Sequence, residues 1–187
     1  MPLCARLPLP FLAVLALIGA SASAQMPPMQ EGAAVSCAVP AALPDALAGW
    51  NEAAPLQAAG SIKEAGKAEL TPGKASLVSL LPTPRVVYAL RPEKPGGSVS
   101  FGGLAAFTVD QPGIWRVALS SGAWIDVVKG GAASTSIAHG HGPDCSGIRK
   151  IVWFDLPAGR HVVQIAGARD DSIRIMAADA RANQPVD

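Results

Sequence analysis

The sequence lacks an excess of charge of either sign. It contains 15 lysines and arginines against 14 aspartates and glutamates, a formal net charge of +1. Proteins that bind nucleic acids or anionic membrane surfaces depend on a basic excess. We therefore predict no nucleic-acid partner and no electrostatic attraction to a membrane.

The sequence also lacks an apolar run of about 20 residues, the length that crosses a membrane. The apolar run at 11–18 is eight residues long, follows Arg6 and precedes small residues that end in Ala-Ser-Ala at 22–24. This pattern is typical of a signal peptide, here residues 1–24, that is cleaved after residue 24. Cys4 precedes the run, whereas a lipid-modified cysteine would stand at the cleavage point. We expect a periplasmic or secreted protein with no membrane span after cleavage.

Cysteine is scarce. The mature part of the chain contains only Cys37 and Cys145. An even number of cysteines in an oxidising compartment favours a disulfide over two free thiols. This bridge would tie the N-terminal segment to a loop that carries two of the three histidines.

Long helical patterns are absent after residue 74. Short runs rich in valine, isoleucine, leucine and aromatic residues alternate there with glycine and proline turns. The predicted strands are Ser76–Leu81, Arg85–Leu90, Val99–Val109, Ile114–Ser120, Trp124–Lys129, Arg149–Leu156, His161–Ala166 and Ser172–Ala177. Parallel strands need crossover segments of a dozen or more residues, and this region has none. The pattern predicts an all-β antiparallel sandwich, jelly-roll-like, with about seven to nine strands.

The mature chain divides into three parts by composition. The expected parts are an irregular Ala/Pro-rich segment packed on the domain at 25–60, the β-sandwich at 61–180 and a C-terminal tail at 181–187. Within the first part, Leu43, Leu47 and Trp50 have the i, i+4, i+7 spacing of one face of a short helix.

Two stretches resemble known modules. Residues 107–117 (FTVDQPGIWRV) and 154–165 (FDLPAGRHVVQI) resemble jelly-roll modules of exported bacterial proteins, including pre-peptidase C-terminal and carbohydrate-binding domains. The second stretch is predicted to be a β-hairpin. The resemblance implies a fold and specifies no ligand.

A longer string is similar to a group of small exported bacterial proteins of unsettled function. It runs from 93–96 (EKPG) through 101–104 (FGGL) and 124–128 (WIDVV) to 138–150 (AHGHGPDCSGIRK). Some proteins of this group bear the name homogentisate 1,2-dioxygenase, a family that holds iron with two histidines and a glutamate. All five glutamates of this chain precede its histidines, so no such iron signature is legible. The sequence therefore leans towards a protein that is not an enzyme.

The stretch that follows residue 138 is the most promising place for a site. The predicted ligand-binding residues are two histidines separated by a glycine, two cations and one tryptophan: His139, His141, Arg149, Lys150 and Trp124. The cations could bind an anionic group. Trp153 is predicted to face away from Val152 and Phe154, and if it is exposed beside Trp124 the two could provide a stacking platform for a sugar or a peptide.

Two functions remain open. The first is a non-enzymatic binding or accessory module without a cofactor, which holds an unknown small ligand or an envelope protein. The second is a periplasmic metalloprotein, such as a dioxygenase-like oxidoreductase, with one transition metal ion held by His139, His141, Asp144 and His161. We prefer the first function because it requires only the export signal and the sandwich.

Overall fold

The structure, a computed structural model, describes residues 37–183. The predicted signal peptide, residues 25–36 and the last four residues of the predicted tail lie outside this range. Between residues 37 and 183, no helix combines the length and the apolar character needed to cross a membrane.

Two β-sheets pack face to face and form the described domain. The strands are β1 Gly49–Gln57, β2 Lys74–Ser79, β3 Leu81–Pro82, β4 Phe101–Val109, β5 Gly113–Leu119, β6 Trp124–Lys129, β7 Ala132–Ala133, β8 Ser136–Gly140, β9 Lys150–Leu156, β10 Gly159–Ala168 and β11 Ser172–Asp179. Short 3-10 helices cover Asp45–Leu47, Ala65–Lys67, Thr83–Arg85 and Ala180–Asn183. The six-stranded sheet has the order β1-β2-β11-β5-β9-β8, and the five-stranded sheet has the order β3-β4-β10-β6-β7. Only the β1–β2 pair is parallel among these strands.

The strand order is that of a jelly roll. Taken in chain order as first to eighth, the strands that form it are β2, β4, β5, β6, β7, β9, β10 and β11. One sheet contains them in the order first, eighth, third, sixth, and the other in the order second, seventh, fourth, fifth. That connectivity, two Greek keys folded over one another, defines the jelly roll. The predicted all-β, jelly-roll-like sandwich is confirmed.

The predicted hairpin at 154–165 is wrong. Strand β9 lies between β5 and β8 in the six-stranded sheet, whereas β10 lies between β4 and β6 in the five-stranded sheet. The chain therefore crosses from one sheet to the other at Pro157 and Ala158. A short turn looks the same in the sequence whether it folds back within one sheet or arches over to the other.

The predicted strand Arg85–Leu90 is also wrong. A 3-10 helix occupies Thr83–Arg85, and Val87 makes only an isolated bridge to Ser61. Pro82 precedes this helix and Pro84 lies within it, where the fixed φ of proline fits a helical turn and its missing N–H is of no use to a sheet ladder.

Four strands were not predicted, and all four are short or lie at sheet edges. β1 and β8 are the two edges of the six-stranded sheet, and β3 and β7 have two residues each and are the edges of the other. An edge strand pairs on one side only and buries less of its surface. Its sequence therefore does not need to alternate regularly between apolar and polar residues. β8 is exposed along almost its whole length, and β1 lies in the segment expected to be irregular.

The main core lies between the two sheets. Its largest fully buried side chains come from both sheets and include Phe107, Phe154, Leu119 and Ile165. Each such side chain contributes roughly 1.5–3 kcal/mol through burial of apolar surface. Val117 and Leu119 on β5, and Val163 and Ile165 on β10, show the two-residue spacing that a strand with one face in the core requires.

A second apolar cluster lies outside the main core. It consists of Leu47, Trp50, Ala75, Ala118, Ile148, Ile151, Met176 and Ala178, with Leu43 packed against it. Leu43, Leu47 and Trp50 thus contact the same cluster. The helix that was expected to align them covers only Asp45–Leu47, and Trp50 already belongs to strand β1.

The disulfide fastens the N-terminal segment beside this second cluster. Cys37 and Cys145 are bonded, with their Cα atoms 5.2 Å apart, a normal separation for a disulfide. Next to the bridge, the indole Nε1 of Trp50 donates a hydrogen bond of 3.0 Å to the carbonyl oxygen of Ser146. The Arg174 guanidinium lies 5.5 Å from the centroid of the Trp50 ring. The predicted cysteine pairing is confirmed.

We expect the double substitution Cys37→Ser, Cys145→Ser to lower the free energy of unfolding by about 2–4 kcal/mol, because the bridge closes a long loop in the unfolded chain. Urea denaturation of the oxidised protein and of the double variant measures this loss. An unchanged urea midpoint would show that Trp50 and its neighbours hold the segment without the bridge.

Candidate functional site

The jelly-roll order gathers several connections at one end of the sandwich. Strands that alternate in direction bring the β2–β4, β5–β6, β7–β9 and β10–β11 connections to the same end, and the other three to the opposite end. A cleft of about 660 Å³ lies at the first end, beside the start of β6 and the start of β9. The polar and charged side chains that line it are Lys94, Trp124, Asp126, Ser134, Ser136, His139 and Lys150. We call this the Trp124 cleft.

A chain of hydrogen bonds holds Trp124. Its indole Nε1 donates to Oδ1 of Asp126 (3.0 Å), and Oδ2 of Asp126 accepts from Nε2 of Gln164 (2.8 Å). Trp124 and Asp126 are two residues apart on β6 and so share a face, and Gln164 lies opposite Asp126 on β10. These three side chains are thus fixed by the pairing of two strands.

Gln164 also fixes the connection that covers it. The side chain is fully buried, its Nε2 donates to the carbonyl oxygen of Leu90 (3.0 Å), and its Oε1 accepts from the backbone N–H of Leu90 (3.2 Å). A buried amide without partners would lower the free energy of unfolding. Here the Gln164 amide bonds the backbone of Leu90 and the carboxylate of Asp126. The network therefore joins the β3–β4 connection to the side chain of Trp124.

Two lysines lie beside the Trp124 ring. Lys94 Nζ is 5.5 Å and Lys150 Nζ is 5.7 Å from the ring centroid. Lys150 Nζ donates a hydrogen bond of 3.0 Å to the carbonyl oxygen of Ala123. Burial lowers the pKa of Lys150, the charge of Lys94 lowers it further, and Asp126 acts in the opposite direction. Between residues 37 and 183, neither lysine forms an ion pair with a carboxylate.

Two glycines allow Lys94 to reach the cleft. Gly96 and Gly167 have φ values of +80° and +64°, and a Cβ on Gly96 would lie 2.7 Å from the Cα of Gly167. Only glycine tolerates both the left-handed backbone and this separation. The β3–β4 connection therefore passes against the end of β10, and Lys94 stands at the cleft.

Serine, histidine and aspartate meet in the cleft without forming a catalytic arrangement. Ser134, Ser136 and His139 come from the segment that joins β7 to β9, and Asp126 lies across from them. Both carboxylate oxygens of Asp126 are already bonded to Trp124 and Gln164. In the described part of the chain, no hydrogen bond joins His139 to either serine or to Asp126. The nucleophile–base pair that acyl transfer needs is not assembled.

The structure brings together three of the five predicted ligand-binding residues. Trp124, His139 and Lys150 all line the Trp124 cleft. His141 and Arg149 do not, and line instead a shallower depression of about 440 Å³ beside the disulfide. His141 Nδ1 donates to the carbonyl oxygen of Arg149 (2.7 Å), which shows that this histidine fastens its own loop.

The predicted metal ligands are not brought together. His139 lies in the Trp124 cleft, His141 and Asp144 lie in the depression beside the disulfide, and His161 is buried near the opposite end of the sandwich. Residue 161 comes early in β10, where its ring stacks on Phe107 at 5.7 Å. No group of three or more His, Cys, Asp or Glu side chains within 37–183 could hold a metal ion.

Trp153 faces away from Val152 and Phe154, as predicted, and does not lie beside Trp124, so the two tryptophans form no shared stacking platform. Val152 and Phe154 line the Trp124 cleft, whereas Trp153 lies between them on the other face of β9 and packs against the second cluster. Alternation of side chains along the strand therefore separates the two tryptophans.

Sequence reasoning missed Lys94, Asp126 and Gln164. Asp126 and Gln164 could have been recognised, because each is a polar residue within an otherwise apolar strand. A polar residue buried in such a strand requires a hydrogen-bonding partner, and pairing those two with each other satisfies that need. Lys94 lies in an irregular connection and offers no comparable signal.

No family model matches the chain, and no curated protein matches it.

We expect Gln164→Met to lower the free energy of unfolding by about 2–4 kcal/mol, because it leaves both backbone groups of Leu90 without partners. Urea denaturation gives the loss, and the indole N–H signal of Trp124 in NMR spectra should broaden. Gln57→Met is the control, since the Gln57 amide bonds the Ser79 carbonyl at an exposed position. Equal effects of the two substitutions would contradict the assigned role of Gln164.

Stability should fall with acidity through His161. Burial lowers the pKa of His161, a hydrogen bond from its Nε2 to the Pro157 carbonyl oxygen opposes this, and the charge of Lys129 lowers it further. Nδ1 has no hydrogen-bonding partner in the described structure, so a proton there would be buried without an acceptor. The unfolded chain then binds the proton more readily, and the free energy of unfolding decreases as pH drops below about 6.5.

Urea midpoints at about pH 7.5 and about pH 5 measure this dependence. His161→Gln should reduce the difference between the two midpoints, and His139→Gln, on the exposed edge strand, should leave it unchanged. An undiminished difference in His161→Gln would assign the acid sensitivity to another group.

Proposed function

We propose that this chain is an exported, non-enzymatic binding module whose Trp124 cleft holds a small ligand. The observation that carries the proposal is the positioning of Trp124 by Asp126 and the fully buried Gln164. Small-molecule sites in proteins are concave, have volumes of about 300–1,000 Å³ and combine apolar walls with a few positioned polar groups. The Trp124 cleft, at about 660 Å³, has these properties.

Export is supported by two independent features. Residues 1–24 have the composition of a cleavable signal peptide. The Cys37–Cys145 disulfide is of a kind that persists in oxidising compartments. We therefore propose a periplasmic or secreted location for the mature chain.

A small ligand is favoured over an envelope protein as the partner. The candidate side chains line a concave space and are drawn from both sheets. A protein partner would more readily use a flat or protruding surface. A metal-dependent oxidoreductase receives no support from the ligand positions, because His161 and His139 lie towards opposite ends of the sandwich.

A cleft-filling substitution tests the proposal. Ser136 is exposed, lines the cleft and lies opposite Phe154, so Ser136→Phe should fill the space without disturbing the core. Ala138 on the same strand lies opposite Trp153 on the other face, and Ala138→Phe is the matched control. The mature protein is screened by thermal shift and tryptophan fluorescence against neutral sugars, sugar acids, sugar phosphates, amino acids and organic acids.

We expect at least one compound class to bind the native protein and the Ala138→Phe variant, and not Ser136→Phe. A compound that binds Ser136→Phe as tightly as the native chain would place the site elsewhere. A screen in which no compound binds the native protein would contradict a small-ligand function.

A further inference from the structure

We infer that the ligand of the Trp124 cleft carries an anionic oxygen group, a carboxylate or a phosphate, that binds between the side chains of Lys94 and Lys150. This inference rests on the proposed function and adds the chemical class of the ligand.

The charges that line the cleft do not balance. Lys94 and Lys150 contribute two ammonium groups, and Asp126 contributes the one carboxylate among the described lining residues. Both oxygens of that carboxylate accept hydrogen bonds from Trp124 and Gln164. Asp126 is held by these two neutral donors, forms no ion pair with either lysine and offsets the effect of Lys94 on the pKa of Lys150 only in part.

The two ammonium groups lie close enough to affect one another. Both are within 6 Å of the centre of the same indole ring, and the charge of Lys94 lowers the pKa of Lys150. Contact with an aromatic ring compensates a cation only weakly when the site is open to water. An anion between the lysines would turn their mutual repulsion into two attractions.

The main chain at Lys94 and the ammonium group of Lys150 are both positioned before any ligand binds. The close passage of Gly96 against Gly167 sets the position of Lys94. The bond to the Ala123 carbonyl oxygen uses one of the three N–H donors of Lys150 and leaves two for a ligand. The two residues come from separate parts of the chain, and the fold is what brings them to one ring.

The rest of the cleft suits an organic anion rather than a bare ion. Ser134 and Ser136 provide hydroxyl groups on one side, and Ile125, Val152 and Phe154 provide apolar surface. A monosaccharide-sized body with one anionic group could use both kinds of wall. A sugar acid and a sugar phosphate share this chemistry.

Calorimetric titration of the mature protein with four probes tests the inference. The probes are glucuronate, glucose 6-phosphate, glucose and inorganic phosphate. We expect glucuronate or glucose 6-phosphate to bind more tightly than glucose and than inorganic phosphate, and the tighter of the two identifies the anionic group. Binding should weaken with added salt, as expected for a contact between charges at a partly exposed site.

Lysine variants locate the contact. Lys94→Met and Lys150→Met should each weaken binding of the preferred anion roughly tenfold, as expected for loss of a charge-assisted hydrogen bond. Lys150→Arg should retain part of the affinity. Lys74→Met, an exposed lysine on β2, carries the same change of charge and should have no effect. Because exposed Lys94 contributes nothing to the core, its variant should fold even if Lys150→Met does not.

An NMR titration of the Lys150 amine provides a second measurement. The anion should raise its pKa, since a bound negative charge favours the protonated amine. Failure of both anions to bind, or equal binding by Lys94→Met and the native protein, would overturn the inference. If neutral glucose binds as tightly as glucuronate and Ser136→Phe abolishes binding, the cleft remains a site and only the anionic class is wrong.

Discussion

The burial of two apolar sheet faces against each other is the constraint on which the rest of the structure depends. Side chains of β4, β6 and β10 face those of β5, β9 and β11, and the largest among them are withdrawn from water completely. Because consecutive strands mostly cross from one sheet to the other, the central strands cannot move without separating the two faces. The crossing also decides which connections meet at each end of the sandwich, and so where a site can form.

The Trp124 cleft combines this rigid arrangement with a polar network at one end. Gln164 lies at the centre of the five-stranded sheet, and its bonds reach outward to Leu90 and Asp126. Such a network stabilises the fold only when all its members are satisfied, and it then also fixes the groups attached to it. The aromatic ring is therefore positioned by strand pairing, Lys150 begins strand β9, and Lys94 is brought to the ring by the β3–β4 connection.

The candidate site could be predicted from the sequence only in part. Trp124, His139 and Lys150 were chosen for their chemical types and share one cleft, whereas His141 and Arg149, chosen for the same reasons, belong to a loop held by the disulfide. The histidines that suggested a metal lie in different parts of the fold. The chemistry of a residue indicates what its side chain could bind. The distance between two side chains depends on the path of the chain between them.

The sequence by itself determined the class of fold and the pairing of the cysteines. Alternating apolar residues, glycine and proline turns and a single pair of mature cysteines are local or countable properties, and they leave few alternatives. Only the tertiary structure decided that β9 and β10 belong to different sheets, that Trp153 faces away from Trp124 and that Lys94 joins Lys150. The reason is that neither the turn of two residues between β9 and β10 nor the connection at 83–100 has a sequence pattern that specifies the surface against which it packs.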